Sequence, residues 1–134
     1  MRADITLLLK HRSYVSLSTV IVCCLDALAA GSGKAGRGEF EAFVTKHFPY
    51  LCADLESARP GKKRGAAILY DGYRNGFAHL RGPKREFAIA EDHELGGAWA
   101  EQIEVDGVGR LVALNVDRFA REFLVLLDRL EAGV

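Results

Sequence analysis

Apolar residues recur with helical spacing along much of the chain. Between residues 4 and 30 they follow a period close to 3.6 residues, which predicts one helix with a more buried C-terminal half. Residues 116–130 show the cleanest pattern, with apolar residues at i, i+3, i+4, i+7, i+8, i+11 and i+14. Asn115 directly precedes this pattern and is a good N-cap. Shorter helices are predicted over Glu39–His47 and from Ala66 to about His79.

Other parts of the chain have the patterns of turns and strands. Pro49 ends the Glu39–His47 helix, and a further helical turn is predicted just after it. Phe87–Glu91 and Ala100–Val105 alternate apolar and polar residues as half-buried strands do, and Arg110–Leu114 is the predicted return strand after a Gly-rich turn. The fold class is therefore mainly α, with residues 86–115 inserted as a β-hairpin or small antiparallel sheet before the C-terminal helix.

Length and composition indicate a single folded domain over residues 1–134. Hydrophobic residues make up 49% and charged residues 27%, which is an ordinary globular composition. The most apolar run, Val20–Ala30, contains Asp26 and falls short of the roughly 20 residues of a membrane-spanning helix. The N-terminus has no secretory pattern, and an odd number of cysteines (Cys23, Cys24 and Cys52) favours free thiols. We expect a cytoplasmic protein without membrane contact. Cys23 and Cys24 belong to a helix that is predicted to be buried, so we expect both in the protein core.

The charges are segregated along the chain although the net charge is zero. Residues 59–85 contain eight Lys or Arg and one acid, whereas residues 86–134 contain four Lys or Arg and eleven acids. The zero net charge argues against binding to nucleic acid as a general polycation. The basic segment either marks a polyanion site or faces the acidic segment, within a protomer or across a dimer; charge alone favours the second explanation.

The candidate chemistry lies in the stretch Tyr70–His79. On a helix, Asp71, Asn75 and His79 stand four residues apart and form one polar line. Asn75 can hydrogen-bond an imidazole nitrogen of His79 and so select its tautomer. Arg74 can pair with Asp71 at i−3 or reach toward a shared anion. The alternative is structural, because an arginine, an asparagine and a histidine on a helix can also simply pair and fill space.

Two further motifs bear on phosphate or metal binding. Gly33-Lys34 is similar to the end of a P-loop, but Ala35 replaces the required Ser or Thr, and a helix precedes it instead of a strand. The run Glu91–Glu94 contains possible metal ligands, but such a run more often forms a solvated turn. No metal site and no cofactor is therefore predicted.

The segment Arg74-Asn75-Gly-Phe-Ala-His79 resembles the R-x4–6-H motif of HEPN domains, including the polar residue directly after the arginine. With Pro83-Lys84 it is also similar to a group of uncharacterised bacterial HEPN-like proteins. The resemblance implies a bundle of about four to five helices that dimerises. It further implies a metal-independent endoribonuclease, in which arginine and histidine from two protomers line a cleft at the interface. The acidic insertion at 86–115 departs from the family's simplest form.

The resemblance assigns roles to individual residues. His79 would act as general acid and base, Arg74 would bind the scissile phosphate, and Asn75 would orient His79 or contact the phosphate. The remaining predicted substrate-binding residues are cationic or aromatic neighbours of the motif: Tyr70, Tyr73, Arg81, Lys84 and Arg85, with Lys62, Lys63 and Arg64 attracting the RNA backbone. Tyr70 or Tyr73 would stack a base, with core packing as the alternative for at least one of them.

Three functions are consistent with these residues and with the resemblance. The first is an RNA-cleaving enzyme, as in a toxin or stress-response effector. The second is a non-catalytic HEPN-like module that binds RNA, a nucleotide or a protein, because many family members serve as binding or assembly modules. The third is a scaffold protein whose motif is structural. A homodimer is expected from the resemblance and from Gly72 and Gly76, which permit close helix approach, and an antitoxin or other protein is a further candidate partner.

Overall fold

The computed structural model describes residues 1–31, 33, 36–61, 64–77 and 86–133. Within these ranges the chain is mainly helical, and a small sheet lies before the last helix, as predicted. The helices are α1 Arg2–Lys10, α2 Tyr14–Ala30, α3 Arg37–His47, α4 Pro49–Ala58, α5 Gly65–Ile68 and α6 Val116–Glu131; the strands are β1 Phe87–Ala90, β2 Ala100–Val105 and β3 Gly109–Asn115. A π-helical turn, Leu69–Arg74, continues directly from α5.

The predicted helix over residues 4–30 is wrong at one point, since α1 and α2 are separate helices. Arg12 has a φ of +54°, a left-handed conformation that a helix interior does not allow. The Ser13 amide then donates to the Leu8 carbonyl at 3.0 Å, which closes the turn between the helices. The 3.6-residue pattern runs across the break because both helices turn apolar residues toward the same core.

The segment after Pro49 is a full helix, α4, where only a further turn was predicted. Proline is well placed at the first position of a helix, because its missing N–H would have no intrahelical partner there. Leu51 and Leu55 of α4 are completely buried and join the main core. Their spacing of four residues puts them on one face of the helix.

The sheet is mixed, not antiparallel. Its strand order is β1-β3-β2, with β2 and β3 forming the predicted hairpin, in which Ala100 pairs with Leu114 and Val105 with Gly109. β1 instead runs parallel to β3, with Phe87 opposite Val112. The antiparallel alternative is therefore wrong for β1. The connection from β1 to β2 begins and ends at one end of the sheet, because Ala90 pairs with Asn115 and Ala100 with Leu114. β2 then runs back toward the starting end of β1, and β3 runs again in the direction of β1.

The helix predicted from the apolar pattern of residues 116–130 is confirmed as α6. Its N-cap is Asn115, whose side-chain oxygen accepts a hydrogen bond from the Arg118 amide at 3.0 Å. Phe119 and Phe123 of its apolar face have no exposed surface, whereas Leu130, the last residue of the pattern, is 37% exposed. The helix therefore covers the core along most of its length.

No helix in the part of the chain that the structure describes is long and apolar enough to cross a membrane. The three cysteines are free thiols in different environments: Cys23 is exposed, Cys24 is half-buried and Cys52 is buried. The expectation that Cys23 belongs to the core is therefore wrong. Burial raises the pKa of the Cys52 thiol to about 11.

Candidate functional site

The helical segment that carries the motif is fixed on two sides. At its start, a Cβ on Gly65 would lie 2.1 Å from the Cys52 carbonyl oxygen, so only glycine allows α5 to approach α4 this closely. Further along, a Cβ on Gly72 would lie 2.7 Å from ring atoms of Phe87 in β1. The close approach expected at Gly72 is therefore made to this chain's own sheet.

The motif begins within the π-helical turn Leu69–Arg74, where an α-helix was predicted. π-helical turns have i→i+5 hydrogen bonds, are rare, and occur frequently at functional sites. Asp71 lies within this turn and accepts from Arg37 of another helix, and Asn75 accepts from Arg74. The third member of the predicted polar line, His79, lies outside the described residues.

Arg74 is held by side chains from two elements. Its Nε donates to Oδ2 of Asp26 on α2 at 2.7 Å, and its Nη1 donates to Oδ1 of Asn75 at 3.0 Å. Its guanidinium carbon also lies 5.0 Å from the centre of the Tyr70 ring. The Arg74 and Asp26 side chains are 21% and 19% exposed, so the pair is partly shielded from water. The structure thus brings Arg74 and Asn75 together, and adds Asp26.

A second arginine, Arg37 of α3, joins the same cluster. It donates to both carboxylate oxygens of Asp71, at 2.7 and 3.0 Å, and to Glu41 at 2.9 Å. Hydrogen bonding to Asp71 and, to a smaller degree, to Glu41 raises the pKa of Arg37. Its guanidinium carbon lies 5.2 Å from the centre of the Tyr70 ring. The Asp71 pairing predicted for Arg74 is thus a bidentate pairing with Arg37, and Arg74 takes Asp26 instead.

The two tyrosines of the stretch Tyr70–His79 lie in different environments. Tyr70 is half-buried, with two arginines near its ring and the Phe40 ring in an edge contact at 5.3 Å. Tyr73 has no exposed surface, and its hydroxyl lies 2.7 Å from the Val112 carbonyl oxygen and 3.0 Å from that of Ala88. Burial raises the pKa of Tyr73. Tyr73 joins the helix to the sheet and packs in the core, which is the alternative to substrate binding for one of the two tyrosines.

Several predicted site residues lie outside the described residues: His79, Arg81, Lys84 and Arg85, together with Lys62 and Lys63. Their roles stay predictions. Arg64 is described and exposed. Within the described ranges, the predicted residues that lie together are Tyr70, Arg74 and Asn75.

Sequence reasoning missed Asp26, Arg37 and Glu41. Asp26 carried a usable signal, because it is the one charged residue in the apolar run Val20–Ala30. A carboxylate in such a helix needs a cationic or hydrogen-bonding partner. Arg37 and Glu41 carried no such signal, since their helix is polar on its outer side.

The acidic run after β1 forms a turn that uses its own carboxylates. Ligand atoms of Glu91, His93 and Glu94 lie within 4.8 Å of one another. However, Glu91 and Glu94 form a reciprocal capping box with the backbone of the 3₁₀ turn Asp92–Glu94. His93 and Glu94 are exposed. Glu91 and Glu94 therefore cap the turn.

Comparison of the chain with protein-family models, with curated proteins and with solved structures gives no match. The resemblance to HEPN domains thus rests on the motif itself.

Proposed function

We propose that the protein is a metal-independent endoribonuclease of the HEPN type. The observation that best supports this is the state of Arg74, which Asp26 and Asn75 hold in place while 21% of its side chain stays exposed. A guanidinium has five N–H donors, and the hydrogen bonds among the described residues use two of them. The others are available to phosphate oxygens, which arginine binds in bidentate fashion.

In the proposed reaction the ribose 2′-hydroxyl attacks the adjacent phosphorus and the 5′-oxygen leaves, which gives a 2′,3′-cyclic phosphate. His79 would take the proton from the hydroxyl or give one to the leaving oxygen, because an imidazole titrates near neutral pH. Arg74 would stabilise the negative charge that develops on the phosphate. Asn75 would act by holding Arg74, with which it shares a hydrogen bond. DNA would be spared, since it has no 2′-hydroxyl.

The proposal includes a homodimer with a composite site, as the resemblance implies. Large apolar side chains on the surface of α1 and α2 support it: Leu7 is 56% and Val15 is 50% exposed. A dimer interface over these helices would remove this apolar surface from water. α2 also carries Asp26, so a partner seated on this helix would be connected to the Arg74 cluster.

The test is an RNA-cleavage assay in excess EDTA with four proteins: wild type, His79→Ala, Arg74→Ala and Arg110→Gln. Arg110, an exposed arginine of the β2–β3 hairpin, serves as the control for charge. We expect cyclic-phosphate products from wild type and Arg110→Gln. Loss of the acid and base should reduce the rate by about 10²–10⁴-fold, and loss of the phosphate-binding arginine by about 10²–10³-fold. Equal cleavage by wild type and His79→Ala would contradict the proposal.

A second candidate is a non-catalytic HEPN-like module that binds RNA, a nucleotide or a protein. One observation favours it: the Asp26 carboxylate lies 2.7 Å from Nε of Arg74, where its negative charge offsets that of the arginine and repels an approaching phosphate. This candidate predicts RNA binding without turnover in the same assay. Fluorescence anisotropy with a labelled RNA measures that binding directly, with Arg110→Gln as the control.

A further inference from the structure

A groove lies between the junction of α3 and α4 and the C-terminal half of α6. Its volume is about 360 Å³. Small-molecule sites commonly occupy roughly 300–1,000 Å³. The groove shares no lining residue with the Arg74 cluster, so it is a separate feature of the molecule.

Two apolar side chains of the groove lining are exposed. Tyr50, at the start of α4, is 76% exposed, and Val125 of α6 is 49% exposed. Trp99 also lines the groove, and only 4% of its surface is exposed. An aromatic ring, an aliphatic side chain and an indole that meet at one groove suit a flat, apolar ligand body.

Two cations line the same groove, Lys46 at the end of α3 and Arg129 at the end of α6. Among the described residues neither has an ion pair or hydrogen bond, whereas Arg2, Arg37 and Arg74 are all paired with carboxylates. Burial lowers the pKa of His47, another lining residue, and the positive charges of Lys46 and Arg129 lower it further. One carboxylate, Glu122, also lines the groove, so its lining has a net positive charge.

Trp99 adds an unused hydrogen-bond donor. Its indole Nε1–H is buried and has no acceptor among the described residues. Buried donors in native proteins nearly always have a partner. Arg118 lies over the ring with its guanidinium carbon 4.7 Å from the centroid, which fixes the indole without satisfying that N–H.

We infer that this groove binds a small aromatic or heteroaromatic molecule that carries one phosphate or carboxylate group. The ring lies against Tyr50, Val125 and Trp99, and the anion lies between Lys46 and Arg129. This site is independent of the proposed nuclease, since it uses different residues and a different ligand class.

The test uses the single tryptophan of the chain, whose indole N–H gives one cross-peak in a ¹H–¹⁵N correlation spectrum. The probes are phenyl phosphate, benzoate and the neutral benzyl alcohol, each titrated into wild type, the double variant Lys46→Gln/Arg129→Gln, and the control Arg110→Gln. We expect a saturable shift of the Trp99 peak with at least one of the two anions. The double variant should weaken it by at least about fivefold, and Arg110→Gln should leave it unchanged.

The inference is overturned if neither anion gives a saturable shift, or if benzyl alcohol binds as tightly as they do. It is also overturned if the double variant binds like wild type. Lys46 and Arg129 are both exposed, so their replacement leaves the core intact, and the rest of the spectrum checks this. The ratio of the phenyl phosphate and benzoate affinities then identifies which anion the groove prefers.

Discussion

The ion pair between Asp26 and Arg74 should stabilise the fold more than an ion pair on the open surface. Its N–O distance is 2.7 Å, and both side chains are about one-fifth exposed, so water screens the pair only in part. Hydrogen bonds to charged groups contribute about 1.5–3 kcal/mol to the free energy of unfolding. We expect the coupling energy between Asp26 and Arg74 to lie in that range.

A double-mutant cycle measures this coupling: Asp26→Ala, Arg74→Ala and the double variant are unfolded in urea and followed by circular dichroism. The matched control is the cycle for Arg2 and Asp128, an ion pair whose side chains are 37% and 66% exposed. Exposed pairs contribute little, so the control coupling should be clearly smaller. If both cycles give the same coupling, the reasoning from partial burial is refuted.

The Asp26 carboxylate should stabilise the fold but weaken RNA binding. Asp26→Asn keeps an oxygen that accepts from Arg74 but removes the negative charge. Two unit charges about 6 Å apart repel by roughly 0.7 kcal/mol in water and by roughly 3 kcal/mol at an effective dielectric of 20. RNA affinity should therefore rise by at least about threefold in fluorescence anisotropy. Unchanged or weaker binding would show that Arg74 does not contact phosphate.

Three further predictions concern packing and thiol chemistry. Gly65→Ala forces a Cβ against the Cys52 carbonyl and should lower the free energy of unfolding in urea by about 1–3 kcal/mol or more. Gly38→Ala is the control: a Cβ at this helical position would have nothing within 4 Å, so the free energy of unfolding should stay the same or rise. Tyr73→Phe leaves buried carbonyls without their donor and should cost about 1–2 kcal/mol. A maleimide near neutral pH should label the exposed Cys23 in the folded protein. Cys52 is buried and protonated below a pKa of about 11, so it should react only on unfolding.

Local patterns predicted those elements whose partners lie nearby in sequence. The period of α6 and the hairpin of β2 and β3 depend on neighbouring residues, and both are found. The parallel pairing of β1 with β3 arises because β1 and β2 lie on opposite sides of β3, and alternation does not encode which strands become neighbours. The break between α1 and α2 is caused by the φ angle of Arg12, and the apolar pattern could not predict it because that pattern continues from one helix into the next.

The candidate site could be predicted only in part for a similar reason. Arg74 and Asn75 are adjacent, so their contact needs no tertiary information. The contact from Asp26 to Arg74 spans 48 residues, and a lone acid in an apolar helix could have signalled that a partner exists without naming it. The pairing of Arg74 with Asp71 was predicted from their three-residue spacing, but the bidentate partner of Asp71 is Arg37, which lies 34 residues away.

The segregation of charge along the chain has more than one structural cause. Arg59, in the basic segment, pairs with Glu86 of the acidic segment at 2.7 Å and lies over the Phe87 ring at 4.9 Å, as the facing-segments explanation requires. Arg74, in the same basic segment, pairs instead with Asp26 from the neutral N-terminal part. Two arginines fifteen residues apart are thus neutralised by different parts of the chain. The charge sum over a segment therefore does not define a binding surface, because what an anion meets is each cation together with the carboxylate that neutralises it.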